Sequence, residues 1–177
     1  MNNDIKKILI SQEDIQKMLE KLSNEINNDY KGKKPLFIGL LNGCVPFMCD
    51  LLKYINVYCT TSYIKVSSYC GKESTGKINV LGSFPDVSGK DVILVDDILD
   101  TGRTLKECMR LLIENNASSV KICVLLDKPE GRKVDIEADY IGGLVPNEFV
   151  VGYGLDYNEY YRNLPYIGVL KEEVYSK

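Results

Sequence analysis

Val92-Ile93-Leu94-Val95-Asp96-Asp97-Ile98-Leu99-Asp100-Thr101-Gly102-Arg103-Thr104 is the most informative stretch of the 177-residue chain. Val92 to Val95 reads as a buried strand, and Leu105, Cys108, Met109 and Leu112 follow at i, i+3, i+4 and i+7, the spacing of one helix face. Between them lie an acidic turn at Asp96 and Asp97, a third carboxylate at Asp100, and a hydroxyl-rich glycine turn. Thr101 to Thr104 offers free backbone N–H groups, two hydroxyls, a glycine that permits close approach and the positive end of a helix dipole. Together these make a phosphate-sized anion site, to which Arg103 adds charge. Asp96 and Asp97 would repel a phosphate placed against them, so a phosphorylated ligand must meet them with hydroxyls or through a divalent cation. A ribose 5-phosphate with bound Mg²⁺ satisfies both requirements. Helix capping by Asp100 and Thr101 explains neither the paired acids nor Gly102.

The same alternation of strand and helix extends outward in both directions. Ser11 precedes Glu13 and Asp14, and Ile15, Met18, Leu19, Leu22 and Ile26 recur at helical spacing, which predicts a capped amphipathic helix to about Asn28. Leu36 to Leu41 is a buried strand. After Asn42-Gly43, Pro46 suits a first helical turn, with Val45, Met48, Cys49, Leu52 and Ile55 as the apolar face. Tyr58 to Ser67 and about Ile78 to Ser83 read as strands that pair back across a polar stretch, Ser68 to Lys77. Asn115-Asn116 ends the helix that begins near Thr104. Val120 to Leu126 is another strand, with short ones near Tyr140 to Ile141 and Phe149 to Val151. This order predicts one domain over residues 1–177, an α/β fold with a three-layer, mostly parallel sheet flanked by helices. Ligands of such sheets sit beyond the carboxyl ends of the strands.

Bulk properties narrow the function by exclusion. The length suffices to bury roughly 70% of the unfolded surface without a metal or disulfide staple. A net charge of −3 gives no electrostatic case for a nucleic-acid backbone or an anionic membrane as partner. Apolar runs are far shorter than a membrane span, and the polar start, Met1 to Lys7, is no secretory signal, so a cytoplasmic location is expected. The six cysteines form no CxxC pair, as expected of reduced structural thiols. Histidine is absent, which removes imidazole acid–base chemistry and His-activated nucleophiles. Gly71 to Lys77 fits the start of a GxxxxGK[ST] loop, but Ile78 stands where the hydroxyl is required and a strand follows instead of a helix.

The strand, paired acids and Asp-Thr-Gly-x-Thr turn of residues 92–104 resemble the signature by which phosphoribosyltransferases bind 5-phosphoribosyl pyrophosphate (PRPP). The resemblance implies the type I phosphoribosyltransferase fold with a small hood subdomain. A second stretch, Phe149-Val150-Val151-Gly152-Tyr153-Gly154-Leu155-Asp156-Tyr157-Asn158-Glu159-Tyr160-Tyr161-Arg162-Asn163-Leu164, is similar to the C-terminal signature of the hypoxanthine-guanine branch. It implies that Phe149 stacks on the purine, Val150 meets the base edge through its backbone, Asp156 lies near the 2-position and the metal's water shell, and Arg162 binds pyrophosphate. An aromatic face suits a flat base, and a guanidinium fork suits pyrophosphate oxygens.

Lys128 matches the family lysine that donates to the purine 6-oxygen. A lysine can only donate, so the amino group of adenine would leave buried groups unpaired, a penalty of about 1–3 kcal/mol. Leu41-Asn42-Gly43 matches the pyrophosphate loop, where a cis peptide often precedes the middle residue; Asn42 stands where many relatives carry Lys, and Asp96 where Glu is more usual. Ser68-Tyr69 matches the start of a mobile lid, about residues 68–77, that excludes water.

The expected activity is therefore transfer of phosphoribose from PRPP to N9 of a 6-oxopurine. Mg²⁺ would lie on Asp96, Asp97 and Asp156, Thr101 to Thr104 would anchor the 5′-phosphate, and Asp100 would act as general base toward N7. Two rivals are a non-catalytic PRPP-sensing regulator, disfavoured because no nucleic-acid-binding module fits in the chain, and a phosphoribosyltransferase for another base. Small-molecule substrates and a homo-oligomer, dimer or tetramer as is common in the family, complete the expectation. The residues do not rank hypoxanthine, guanine and xanthine.

Overall fold

The computed structural model describes residues 1–68 and 78–176. Its larger sheet contains β2 (Leu36–Leu41), β3 (Thr60–Ser68), β4 (Ile78–Leu81), β5 (Asp91–Leu99), β6 (Ser119–Asp127) and β7 (Tyr140–Leu144) in the order β4-β3-β2-β5-β6-β7. All neighbours are parallel except β4, which pairs antiparallel with β3.

Side-chain alternation divides the interior into two layers. Phe37, Ile93, Val95, Cys123 and Leu125 point to one face and pack against α1 (Gln12–Asp29), through Ile15, Leu19, Leu22 and Ile26, and against α2 (Cys44–Leu52), through Phe47, Met48 and Leu51. Ile38, Val92, Leu94, Ile122 and Val124 point to the other face, against Leu105, Cys108 and Leu112 of α3 (Arg103–Glu114). The period of two in the strands and 3.6 in the helices thus produces the three layers directly. Ser11 caps α1 by accepting the Asp14 N–H. α2 ends at Leu52, short of Ile55, and Val45 on it is exposed.

A second, antiparallel sheet forms the hood, with β1 (Ile5–Ile10), β9 (Ile167–Leu170) and β8 (Val150–Val151) in the order β1-β9-β8. It buries Val151, Leu164 and Leu170 against Ile5, Tyr157, Tyr161 and Tyr166 and against Val174 and Tyr175 of α4 (Glu172–Tyr175). The hood therefore joins the first strand of the chain to the last. Its members β1 and β9 were not expected; the segment read only as a polar start supplies half of one of its strand pairs. All five described thiols are free, with Cys44, Cys108 and Cys123 buried. Among the described residues no helix is long and apolar enough to cross a membrane.

Candidate active site

β5 and β6 run in a register that sets Leu99 opposite Asp127. The next residue of each strand, Asp100 and Lys128, therefore emerges at the same carboxyl edge, and Lys128 Nζ lies 2.9 Å from Asp100 Oδ2. The Lys128 N–H also donates to the Leu99 carbonyl at 3.0 Å. A 3-10 turn, Pro129–Gly131, folds back so tightly that a Cβ on Gly131 would overlap the Asp100 carboxylate. A donor and an acceptor from different strands are thus set as neighbours by strand register.

Arg132 completes this corner and had no part in the sequence reading. Its guanidinium donates to the Leu99 carbonyl at 2.8 Å, to the Asp100 carbonyl, and to the carboxylate of the buried Asp127. One side chain therefore ties the ends of both strands to the turn carrying Asp100. The available signal was faint: a buried-strand Asp followed by Lys-Pro and, after two more residues, Arg.

Asp96 and Asp97 are not in a turn, as expected from the sequence, but on β5, which continues to Leu99. Alternation then sends them to opposite faces. Asp96 follows Val92 and Leu94 toward α3 and lines a cavity of about 150 Å³ with Asp100, Thr101, Gly102 and Thr104. Asp97 follows Ile93 and Val95 toward the start of α2, where a Cβ on Gly43 would overlap its carboxylate. The Asp97 N–H donates to Asp96 Oδ1 at 3.0 Å. Burial and then repulsion from Asp97 raise the Asp96 carboxyl well above the usual carboxylate range. Burial also raises Asp97, opposed by its hydrogen bond with Asp96 and by the field of Arg162. Gly102 caps α3 in the left-handed region, φ 78°, so the glycine is required by backbone conformation as well as by close approach. Arg103 departs from expectation: its exposed side chain lines a groove on the outer side of α3 with Lys106, Met109 and Ile113, away from Thr101 and Thr104.

The peptide between Leu41 and Asn42 is cis. A Cβ on Gly154 would overlap the Gly43 carbonyl oxygen, so the C-terminal signature rests directly on the Leu41-Asn42-Gly43 loop. Arg162 lies there, its Nη1 donating to the Gly154 carbonyl at 2.7 Å and its Nη2 2.9 Å from Asp156 Oδ1. Asp156 Oδ2 in turn accepts the Glu159 N–H at 2.9 Å. Tyr153 of the same stretch donates to Asp50 on α2 at 2.6 Å. Phe149 stacks on Tyr175, ring centroids 4.9 Å apart and 20° between planes, and meets Tyr157 edge-on, yet stays 38% exposed; Val150 beside it is buried on β8. The trio of Asp96, Asp97 and Asp156 is not gathered as a metal cage: among the described residues no cluster of three acidic or thiol side chains is placed to hold an ion, and Asp156 faces Arg162. Ser68 ends β3; Tyr69 and the rest of the expected lid, 69–77, lie outside the described residues.

The chain belongs to the phosphoribosyltransferase family: the phosphoribosyl transferase domain matches residues 6–158. Within that family it is 53% identical to the hypoxanthine-guanine phosphoribosyltransferase of Streptococcus pneumoniae, over 99% of each chain. The crystal structure of a hypoxanthine phosphoribosyltransferase from Staphylococcus aureus superposes with a TM-score of 0.96 at 48% identity, covering 100% of this chain and 97% of that one. The bifunctional protein TilS/HprT of Listeria monocytogenes is 50% identical over the whole of this chain, which spans 28% of that protein's length.

Proposed function

We propose that the protein transfers the 5-phosphoribosyl group of PRPP to N9 of a 6-oxopurine, hypoxanthine and also guanine, releasing pyrophosphate in purine salvage. The observation that carries this reading is the Asp100–Lys128 pair. On a 6-oxopurine, O6 and N7 are neighbours on one edge. Lys128 donates to O6 and Asp100 accepts from N7–H, so a donor and acceptor 2.9 Å apart match that edge in order and spacing. When N9 bonds to the ribose carbon, the imidazole ring becomes cationic, and loss of the N7 proton to Asp100 neutralises it.

Thr101, Gly102 and Thr104, with the backbone N–H of Arg103, hold the 5′-phosphate, and Asp96 in the same cavity receives ribose hydroxyls. Leu41, Asn42 and Gly43 offer backbone groups to pyrophosphate, and Arg162 supplies its cation. Asp97, Asp96 and, through water, Asp156 provide the hard oxygen donors that Mg²⁺ takes alongside substrate oxygens, since that ion normally keeps waters and uses one or two carboxylates. Bound there, it would neutralise charge on departing pyrophosphate.

The direct test is pyrophosphate release from PRPP and Mg²⁺ with hypoxanthine, guanine, xanthine, adenine, uracil and orotate in separate reactions. Turnover with 6-oxopurines and not with adenine is expected; PRPP binding without turnover on any base would replace the enzyme with a regulator. Lys128→Met should lower kcat/KM for hypoxanthine roughly 10- to 100-fold, the worth of one charge-assisted hydrogen bond, and narrow its margin over adenine. An unchanged margin would remove Lys128 from base reading.

Phe149 is backed by Tyr175 on one ring face and stays 38% exposed, so the base stacks on the exposed part of the ring. Tyr175→Ala should raise KM for hypoxanthine about two- to tenfold, in line with the 0.5–1.5 kcal/mol of an aromatic pair, while kcat at saturating base holds. Tyr175→Phe should behave as the parent protein. A kcat loss with constant KM would show that the ring does not act through base binding.

A further inference from the structure

The segment carrying Arg162 closes through an unfavourable turn. Tyr157 and Tyr160 exchange backbone hydrogen bonds at 3.2 and 3.0 Å, leaving Asn158 and Glu159 as the two central residues, both left-handed at φ 51° and 66°. A two-residue turn of this hand accepts Asn first and strongly favours Gly second. Glu at the second position carries a steric penalty that glycine would avoid. A residue held in such a conformation points to a use for its side chain, and the charged contact that side chain makes is with Arg162, Oε2 to Nη2 at 3.2 Å.

Arg162 thereby has both N–H groups of its Nη2 engaged in the free protein. Its Nη2 serves Asp156 and Glu159, its Nη1 serves the Gly154 carbonyl, and its Nε is buried without a partner. A pyrophosphate oxygen that takes Nη2 must displace one of its two carboxylate partners. Asp156 is anchored by the Glu159 N–H and is 30% exposed, whereas the Glu159 side chain is 73% exposed and held to Arg162 at its tip. Glu159 is the partner that leaves at least cost.

We propose that Glu159 is a positioning residue that competes with pyrophosphate for Arg162: it holds the guanidinium in place when the site is free and reclaims it as the product departs. This rests on the assignment of Arg162 to pyrophosphate. The competition weakens pyrophosphate binding by the worth of a largely exposed ion pair, so its removal strengthens binding by a small, measurable factor.

The test is calorimetric titration of magnesium pyrophosphate into the full chain without any purine, so that its outcome is independent of base preference. Glu159→Gln should bind roughly two- to fivefold more tightly than the parent protein, and Glu159→Gly should gain as much while melting at a higher temperature. In an Arg162→Met background the Glu159→Gln change should have no effect. Equal or weaker binding by Glu159→Gln, or the same gain without Arg162, would overturn the competition. Absence of pyrophosphate binding by the parent protein would instead remove the assignment of Arg162, and this inference with it.

Discussion

Asp100→Asn is expected to lower kcat by roughly 10²- to 10⁴-fold, the contribution of a positioned general base, while the affinity for PRPP changes little. The substitution keeps an oxygen where Gly131 packs over the side chain and removes the capacity to take a proton from N7. It also deprives Lys128, only 13% exposed, of its anion at 2.9 Å, so a modest fall in melting temperature accompanies the loss of rate. Rate and binding separate the roles assigned to this turn. If Asp100 acted mainly on the phosphate, PRPP affinity would fall in step with turnover; if it were only a helix-side carboxylate, turnover would persist. Single-turnover measurement of nucleotide formation at saturating PRPP and hypoxanthine distinguishes these results without interference from product release.

The central sheet was legible because its strands are continuous apolar runs and its helices carry one apolar stripe each, patterns fixed by burial on both sides or one. Asp96, Asp97, Thr101 and Gly102 stood out in the sequence for the opposite reason, since paired carboxylates followed by a hydroxyl-rich glycine turn are not what packing a buried strand requires. The hood was legible only through family resemblance. β1 pairs with β9 across almost the full chain length, and in Ile5-Lys6-Lys7-Ile8-Leu9-Ile10 the residues do not alternate cleanly; Ile8 is 58% exposed. Local sequence carries no record of a partner that far away. Asp97 and Gly43 illustrate a related gap: each was identified separately, but their direct packing follows from the register of β2 and β5, which the sequence does not state. Arg103, expected to add charge to the turn, instead lines the outer side of α3, because helix phase at the first residue depends on where the cap falls, and the cap is Gly102.

Arg132→Met should cost about 3 kcal/mol of stability, the lower end of the range for removing one partner of a buried ion pair, and lower the melting temperature by roughly 6–12 °C in a chain of this size. The side chain is 18% exposed and its partner Asp127 11%, so little water reaches the carboxylate that the substitution leaves unpaired. The Asp100 carbonyl loses the guanidinium at the same time, and the Leu99 carbonyl keeps only the Lys128 N–H. Methionine preserves most of the volume, which confines the effect to charge and hydrogen bonding. Loss of activity should exceed what unfolding explains, because the same guanidinium fixes the turn on which Asp100 meets Lys128; at a temperature where the variant remains folded, KM for hypoxanthine should still be raised. Asp127→Asn with Arg132→Met should recover much of the stability, since both charges are then gone, but not the base affinity, since neither carbonyl regains the guanidinium that fixed the Asp100 turn. Recovery of both would reduce Arg132 to a stabilising ion pair, and recovery of neither would place its main contribution in the backbone contacts.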